Sequence, residues 1–495
     1  MTRKLPIFYS ALLLTLVNLL LRLAGTSFQV YLSGRIGASG IGLLQLVMSV
    51  GGLAIVAGMA GIRTATMYLT AEEIGQRKSE RTRWVVSGCF LYSILCSGSI
   101  SAILYCFAPD IARHWIGDLR TVDPIRLYAA ILPVQCLCGV MTGYFTAANR
   151  IGTLAVIEVA EQLCSMAVTL LTLTLWGGED PVRACQCILL GSSAGCCLTL
   201  FCLVLLRIRE HPKKVPRITI VPRLLQSAVP LALADNLKAG INTLENLMVP
   251  KRLMRNRTVS DPIASFGSVT GMVFPVLMFP ACILYALAEL LIPELARCNA
   301  AGSNVRISYL VRRSLKITLL YGLYFGGLMF LLADALCTKL YHNTDAAVYL
   351  QLYALLIPML YCDTITDAMT KGLGEQKACV RYNILSSSLD VFFLFILLPT
   401  YGMTGYYISF LITHLINFLL SLRRLYKITN ESIPFYIPAM SFAATITAVL
   451  GANRIHGASG QIISYTALFW SLLSLFCIIG QEDFKWLTGL LKAKK

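Results

Sequence analysis

About fourteen apolar stretches, each long enough to cross a hydrocarbon core of ~30 Å, follow one another along this chain with short polar connections between them. They lie near residues 5–33, 40–69, 84–108, 124–148, 152–176, 184–207, 222–250, 263–292, 310–333, 347–371, 378–399, 402–426, 433–452 and 461–480. Inside lipid a backbone must satisfy its own hydrogen bonds, so the fold class is an all-α polytopic membrane protein. The first stretch is too long for a signal peptide and carries Arg22, so it is expected to be retained.

Charge fixes the orientation. The chain carries 42 Lys and Arg against 25 Asp and Glu, a net charge of +17, which in a soluble protein would point to nucleic acid. Only 14% of residues are charged and 57% are hydrophobic, however, and the bases lie in short loops between spans. With the N-terminus in the cytoplasm, about 28 of the 42 bases fall inside, and the basic C-terminus returns to the same side. No nucleic-acid partner is expected. The 17 Cys are scattered without a His at metal-ligand spacing, so they read as small apolar residues. No glycine-rich loop precedes a Lys-Ser or Lys-Thr pair, and no cofactor, metal or enzymatic chemistry is expected.

An internal repeat organises the spans. Leu127-Tyr-Ala-Ala-Ile-Leu-Pro133 recurs about 225 residues later as Leu352-Tyr-Ala-Leu-Leu-Ile-Pro358. Ser33-Gly-Arg35 and Pro250-Lys-Arg252 match at a similar offset, as do Glu72 and Glu294. Six spans per copy is even, so the copies share orientation. The expected domains are a six-helix lobe over 1–210, a second over 211–430, and two additional helices with a basic tail over 431–495. Pro133, Pro230, Pro275, Pro280 and Pro358 fall within spans and predict kinks or breaks, by packing or by function.

Among the bases inside the apolar spans, Arg22, Arg63 and Lys238 are singled out. A charge there costs roughly 2.5 to 3.5 kcal/mol on insertion scales, so each needs a partner. A diphosphate supplies several acceptors for charge-assisted bonds. Each base also has a plainer reading: Arg22 pairs with a buried acid, Arg63 snorkels to the interface, and Lys238 is neutralised by Asp235 one turn away. In the seventh span Asp235, Lys238, Asn242, Glu245 and Asn246 recur at three- or four-residue spacing, which predicts a polar stripe away from lipid. Glu158 and Glu161, with Gln162 and Ser165, and the pair Asp363 and Asp367 are candidate coupling or ion-pairing acids. Arg35, Lys251 and Arg252 form basic ends on the outer side, where they would meet a diphosphate or anionic headgroups.

The segments Arg22-Leu-Ala-Gly25, Gly34-Arg-Ile-Gly37, Gly40-Ile-Gly-Leu-Leu-Gln45, Gly61-Ile-Arg-Thr-Ala65 and Ala71-Glu-Glu-Ile-Gly75 resemble the polysaccharide flippase branch of the multidrug/oligosaccharidyl-lipid/polysaccharide exporter superfamily. Asn149-Arg150, Glu161-Gln162 and Lys371-Gly-Leu-Gly-Glu-Gln376 extend the likeness over nearly the whole chain. The resemblance implies a V-shaped, MATE-like fold in the cytoplasmic membrane. Such a protein moves an undecaprenyl-diphosphate-linked sugar, a lipid-linked oligosaccharide or lipid II-like substrate, between leaflets by alternating access. It further implies contact with membrane lipids and with cell-envelope synthesis enzymes, in peptidoglycan or polysaccharide synthesis, with sporulation among its settings. Lipid II flippases carry cavity arginines on the first two helices, and Arg22 and Arg63 stand at matching positions. They also tend to carry a second arginine about six residues after the first, where this chain has Phe28 and Gln29.

The competing reading is a proton- or sodium-coupled exporter of organic cations on the same fold, favoured by eight acids within spans against those three bases. Against it, no carboxylate lies between Leu5 and Ser33, where such exporters often carry an aspartate. A scaffold for envelope synthesis that transports nothing would leave the buried charges without a purpose.

Overall fold

The computed structural model describes residues 7–478 apart from 60, 76–78, 149, 178–179, 210–220, 257–260, 342, 432–433 and 456. Some helical side chains, those of Pro230, Asp235 and Glu289 among them, also lie outside the described set. The described residues contain helices, turns and no strand.

Glycine divides two helices that otherwise run on. Gly37 (φ 79°, ψ 172°) interrupts Ile7–Met59, and Gly402 (φ 57°, ψ −136°) interrupts Gln376–Thr429. A left-handed φ costs glycine nothing extra, so the chain turns there without strain. The helices are then α1 (7–36), α2 (38–59 and Ile62–Gly75), α3 (Thr82–Cys106), α4 (Val122–Ala147), α5 (Ile151–Thr172) and α6 (Pro181–Ile208). They continue as α7 (Val221–Leu253), α8 (262–300, broken), α9 (Asn304–Tyr341), α10 (Asp345–Ala354 and Ile357–Gly372), α11 (376–401) and α12 (403–429), ending with α13 (Tyr436–Ala452) and α14 (Ala458–Leu475). Seven described helices are long and apolar enough to span a membrane, or up to nine if each of two bent pairs is one span. The fourteen rods, taken with these breaks, are consistent with the fourteen spans expected from the sequence.

Proline sets the two bends. In α8 the axis turns by 65° between Pro262–Met278 and Ala281–Ala288, at Pro280. In α10 it turns by 53° just before Pro358. Pro133, by contrast, sits inside the continuous α4. A proline leaves the carbonyl four residues earlier without its helical donor. For Pro275 that carbonyl is Gly271, which accepts from the Ser33 hydroxyl at 2.6 Å. Further along α8 the carbonyls of Met272, Leu277 and Pro280 accept from Tyr341, Tyr361 and Tyr321 at 3.0, 2.6 and 2.8 Å.

The chain divides into two compact units, one of residues 1–271 with 387–406 and one of 272–386 with 407–495. In the first, Tyr128 of α4 is buried against Gly51 of α2. In the second, Tyr353 of α10 is buried against Phe274 of α8, ring centroids 5.3 Å apart. The repeated tyrosine thus packs on the second helix of its own copy in both cases. Also in the second unit, α13 and α14 pack on α9. There Tyr465 donates to the Tyr324 carbonyl at 3.0 Å, and Ala444, Ala448 and Ala452 are fully buried.

Candidate functional site

Two of these three bases come together. Arg63 of α2 and Lys238 of α7, with Asn242 one turn further along α7, line a cavity of about 340 Å³. Helix α4 fixes the Arg63 backbone: a Cβ added at Gly143 would stand 2.5 Å from the Arg63 carbonyl oxygen. Neither Arg63 nor Lys238 forms an ion pair with a described carboxylate, although Glu158 lies within electrostatic reach of Arg63. Both side chains are exposed to the cavity space, so their charges remain hydrated and available. Asp235, expected to neutralise Lys238, lies outside the described side chains.

A second cavity, of about 460 Å³, is lined by Glu158, Glu161, Gln162 and Ser165 of α5 against Leu21, Gly25 and Phe28 of α1. Of its two acids, Glu161 is engaged. The Thr199 hydroxyl donates to Glu161 Oε2 at 2.7 Å, and the Cys196 thiol approaches Oε1 at 3.6 Å. Gln162 donates to the Leu21 carbonyl at 3.0 Å, which joins α5 to α1. Arg22 is exposed on α1 beside Leu21 and lines neither cavity. Its carbonyl accepts from the Thr26 hydroxyl at 2.9 Å. The structure therefore joins Arg63 with Lys238 and leaves Arg22 on the α1 face.

The α7 stripe divides between partners. Lys238 and Asn242 face the first cavity, while Glu245 lies within electrostatic reach of Asp390 of α11. Tyr406 is buried within electrostatic reach of both. Asn246 is half-buried on the same turn as Glu245. Asp390 was visible in the sequence as a lone acid in an apolar run, but its register against Glu245 was not.

In the second unit, Asp363 of α10 accepts from the Asn417 amide of α12 at 3.1 and 3.2 Å. Asp367 meets Lys371 one turn on at 2.5 Å, a partly exposed pair of the kind worth little.

At the C-terminal end of α7 lies a larger cavity of about 820 Å³, lined in part by Lys251, Arg252 and Arg255. Lys251 donates to the His114 carbonyl at 2.7 Å, and the Arg252 guanidinium stacks 3.4 Å from the Phe395 ring centroid. Arg35, exposed near the end of α1, does not line it. The sequence pointed to Lys251 and Arg252. It did not point to His114 or Trp115, which reach the cavity because Ile111–Ile116 coils as a short π-helix in the connection before α4.

Long apolar helices, two of them bent at prolines, mark a polytopic membrane protein, and its fold is shared with solved MATE-type transporters. Residues 14–171 match the MatE family model. The chain is similar to stage V sporulation protein B of Bacillus subtilis (strain 168), 21% identical over 499 residues and covering 96% of each. It is also similar to sporulation protein YkvU of the same organism, 21% identical over 306 residues, 59% of this chain and 67% of that one. Among solved structures, the lipid II flippase MurJ in an inward closed conformation superposes with a TM-score of 0.68 at 14% identity, over 94% of this chain and 98% of that one. An inward-facing multidrug resistance MATE family transporter of the MOP superfamily gives 0.66 at 14% identity, over 85% and 100%.

Proposed function

We propose that this protein is a flippase that moves an undecaprenyl-diphosphate-linked sugar, a peptidoglycan or polysaccharide precursor, across the cytoplasmic membrane by alternating access. The observation that carries this reading is the cavity in which Arg63 and Lys238 stand with Asn242 and without a described carboxylate in ion-pair contact. Diphosphate oxygens supply the acceptors these donors lack, and charge-assisted bonds in a confined site exceed neutral ones in strength. Asn242 adds an amide that can donate to the same group. Arg22, on the neighbouring α1 face, meets the headgroup as it enters, while Asn246 and Glu245 extend the polar wall of α7. Similarity to stage V sporulation protein B over nearly the full length, and the fold shared with MurJ, support a lipid-linked substrate.

In this reading both termini face the cytoplasm, and residues 1–210 and 211–430 are the two lobes that rock, with 431–495 attached to the second. No coupled ion is needed: an outward-moving negative charge gains about 2.3 kcal/mol per 100 mV of inside-negative potential. Envelope-synthesis enzymes supply and receive the substrate.

A second reading, export of organic cations, is favoured by the α1–α5 cavity with Glu158 and Glu161. Equilibrium binding separates the two. Undecaprenyl diphosphate and a cationic dye are each titrated against the wild-type protein and Arg63→Ala/Lys238→Ala. The flippase reading expects lipid binding to fall and dye binding to hold or rise; unchanged lipid binding with lost dye binding would establish the exporter instead.

A further inference from the structure

The cavity at the C-terminal end of α7 has two chemically distinct parts. Leu244, Leu247 and Met248 of α7 with Val391 and Phe395 of α11 form an apolar floor. Lys251, Arg252 and Arg255 form a cationic rim. Among the described residues no acid lines the cavity, and none of the three bases has an ion pair with a described carboxylate. The dipole of α7 offsets part of their charge, but only by a fraction of a unit spread over the last turn.

This cavity is separate from the Arg63–Lys238 site. At 100° per residue Lys238 and Asn242 share one face of α7, whereas Gly240, Leu244, Leu247 and Lys251 fall on the opposite face. Its volume, about 820 Å³, lies within the range of sites that enclose a small-molecule-sized group. The floor and rim together select the ligand. A soluble anion would leave the floor against water, and a zwitterionic lipid would leave the rim under-neutralised. Trp115, half exposed beside the floor, is the kind of residue that sits at headgroup depth.

We infer that this cavity binds a lipid with an anionic phosphate headgroup, the phosphate held by Arg252, Arg255 and Lys251 and one hydrocarbon chain lying along the α7–α11 floor. Partial desolvation, and then the neighbouring Arg255, push the Arg252 guanidinium below its ordinary value just beyond the apolar span, and the negative charge of a bound phosphate acts in the opposite direction. The inference does not depend on the flippase reading, because a membrane phospholipid and a polyprenyl phosphate share this chemistry.

The test is lipid retention by the purified full-length protein in native mass spectrometry, with phosphatidylglycerol, undecaprenyl phosphate and phosphatidylcholine offered at equal concentration. Two variants probe the two parts. Arg252→Ala/Arg255→Ala removes the rim. Gly240→Phe fills the floor, since a Cβ at Gly240 meets no atom within 4 Å and the side chain grows into open space. We expect both net-anionic lipids to be retained at least tenfold over zwitterionic phosphatidylcholine, and that preference to disappear in each variant. Arg63→Ala/Lys238→Ala should retain phosphatidylglycerol as wild type does, which keeps this result separate from the fate of the central cavity. Tighter retention of undecaprenyl phosphate assigns the site to a substrate-derived lipid, and tighter retention of phosphatidylglycerol assigns it to the bulk membrane. Equal retention of phosphatidylcholine overturns the inference. So does unchanged retention in Gly240→Phe, or loss in Arg63→Ala/Lys238→Ala alone.

Discussion

Two cavities of the first unit differ in what their charged groups already hold. On the α5 side Glu161 accepts from Thr199 and lies against Cys196, and Gln162 is bonded to the α1 backbone. On the α2–α7 side Arg63 and Lys238 make no such commitment to a described carboxylate. The same contrast holds for two described acids of the second unit: Asp363 is bonded to Asn417, and Asp367 to Lys371. Set against Arg22, Arg63 and Lys238 alone, the eight acids of the spans favour cations as cargo. The partners held by Glu161, Asp363 and Asp367 weaken that preference, since an acid satisfied by its neighbours offers little to a ligand.

Four substitutions press on this difference. Lys238→Glu should have the largest effect, because it replaces an attraction with a repulsion inside the basic cavity. Binding of undecaprenyl diphosphate, followed by microscale thermophoresis, is expected to weaken by roughly a hundredfold, as each bond to a charged group contributes about 1.5–3 kcal/mol. Gly143→Ala should come next. Its Cβ would lie 2.5 Å from the Arg63 carbonyl, so α4 and α2 must separate, lowering stability by about 1–3 kcal/mol and displacing Arg63. A thermal melt of the detergent-solubilised protein should drop, and lipid affinity should drop with it; loss of stability at full affinity would detach Arg63 from the site.

Thr199→Val tests the other cavity. It leaves Glu161 without its hydroxyl donor, at a cost of about 1–3 kcal/mol of stability. Lipid binding should be nearly unaffected while cationic-dye binding improves, because a freed carboxylate is then available. No gain for the dye would mean that Glu161 is inert in either state. Lys371→Ala should do least, within about 1 kcal/mol in the melt, since its pair with Asp367 is partly exposed. A larger shift would show that this end of α10 bears more than a solvated pair.

Much of the fold was legible because hydrocarbon thickness and backbone hydrogen bonding leave a helical chain few options. The spans placed at 124–148, 152–176 and 184–207 fall on Val122–Ala147, Ile151–Thr172 and Pro181–Ile208. Pro280 and Pro358 announced the two bends, whereas Pro133 gave the same signal and sits in an unbroken helix. A proline states that a bond is lost; whether the axis then turns depends on what packs against it, which the sequence does not carry. The candidate site was legible in part for a similar reason. Arg63 and Lys238 stood out as charges in apolar runs, but their shared cavity depends on the azimuth of α2 relative to α7. Arg22 stood out equally and lies elsewhere. The approach of Glu245 to Asp390 joins residues 145 apart in the chain, and spacing along one helix gives no view of it.

The account rests on the claim that Arg63 and Lys238 hold the headgroup of a lipid diphosphate during its passage. Proteoliposomes carrying a fluorescent undecaprenyl-diphosphate sugar, with a reductant that quenches only the outer leaflet, measure that passage directly. At matched protein insertion and an imposed inside-negative potential, the wild-type protein should equilibrate the probe between leaflets. Arg63→Ala/Lys238→Ala should leave it at the protein-free rate. Translocation by the double variant at the wild-type rate would contradict the assignment of this cavity to the substrate.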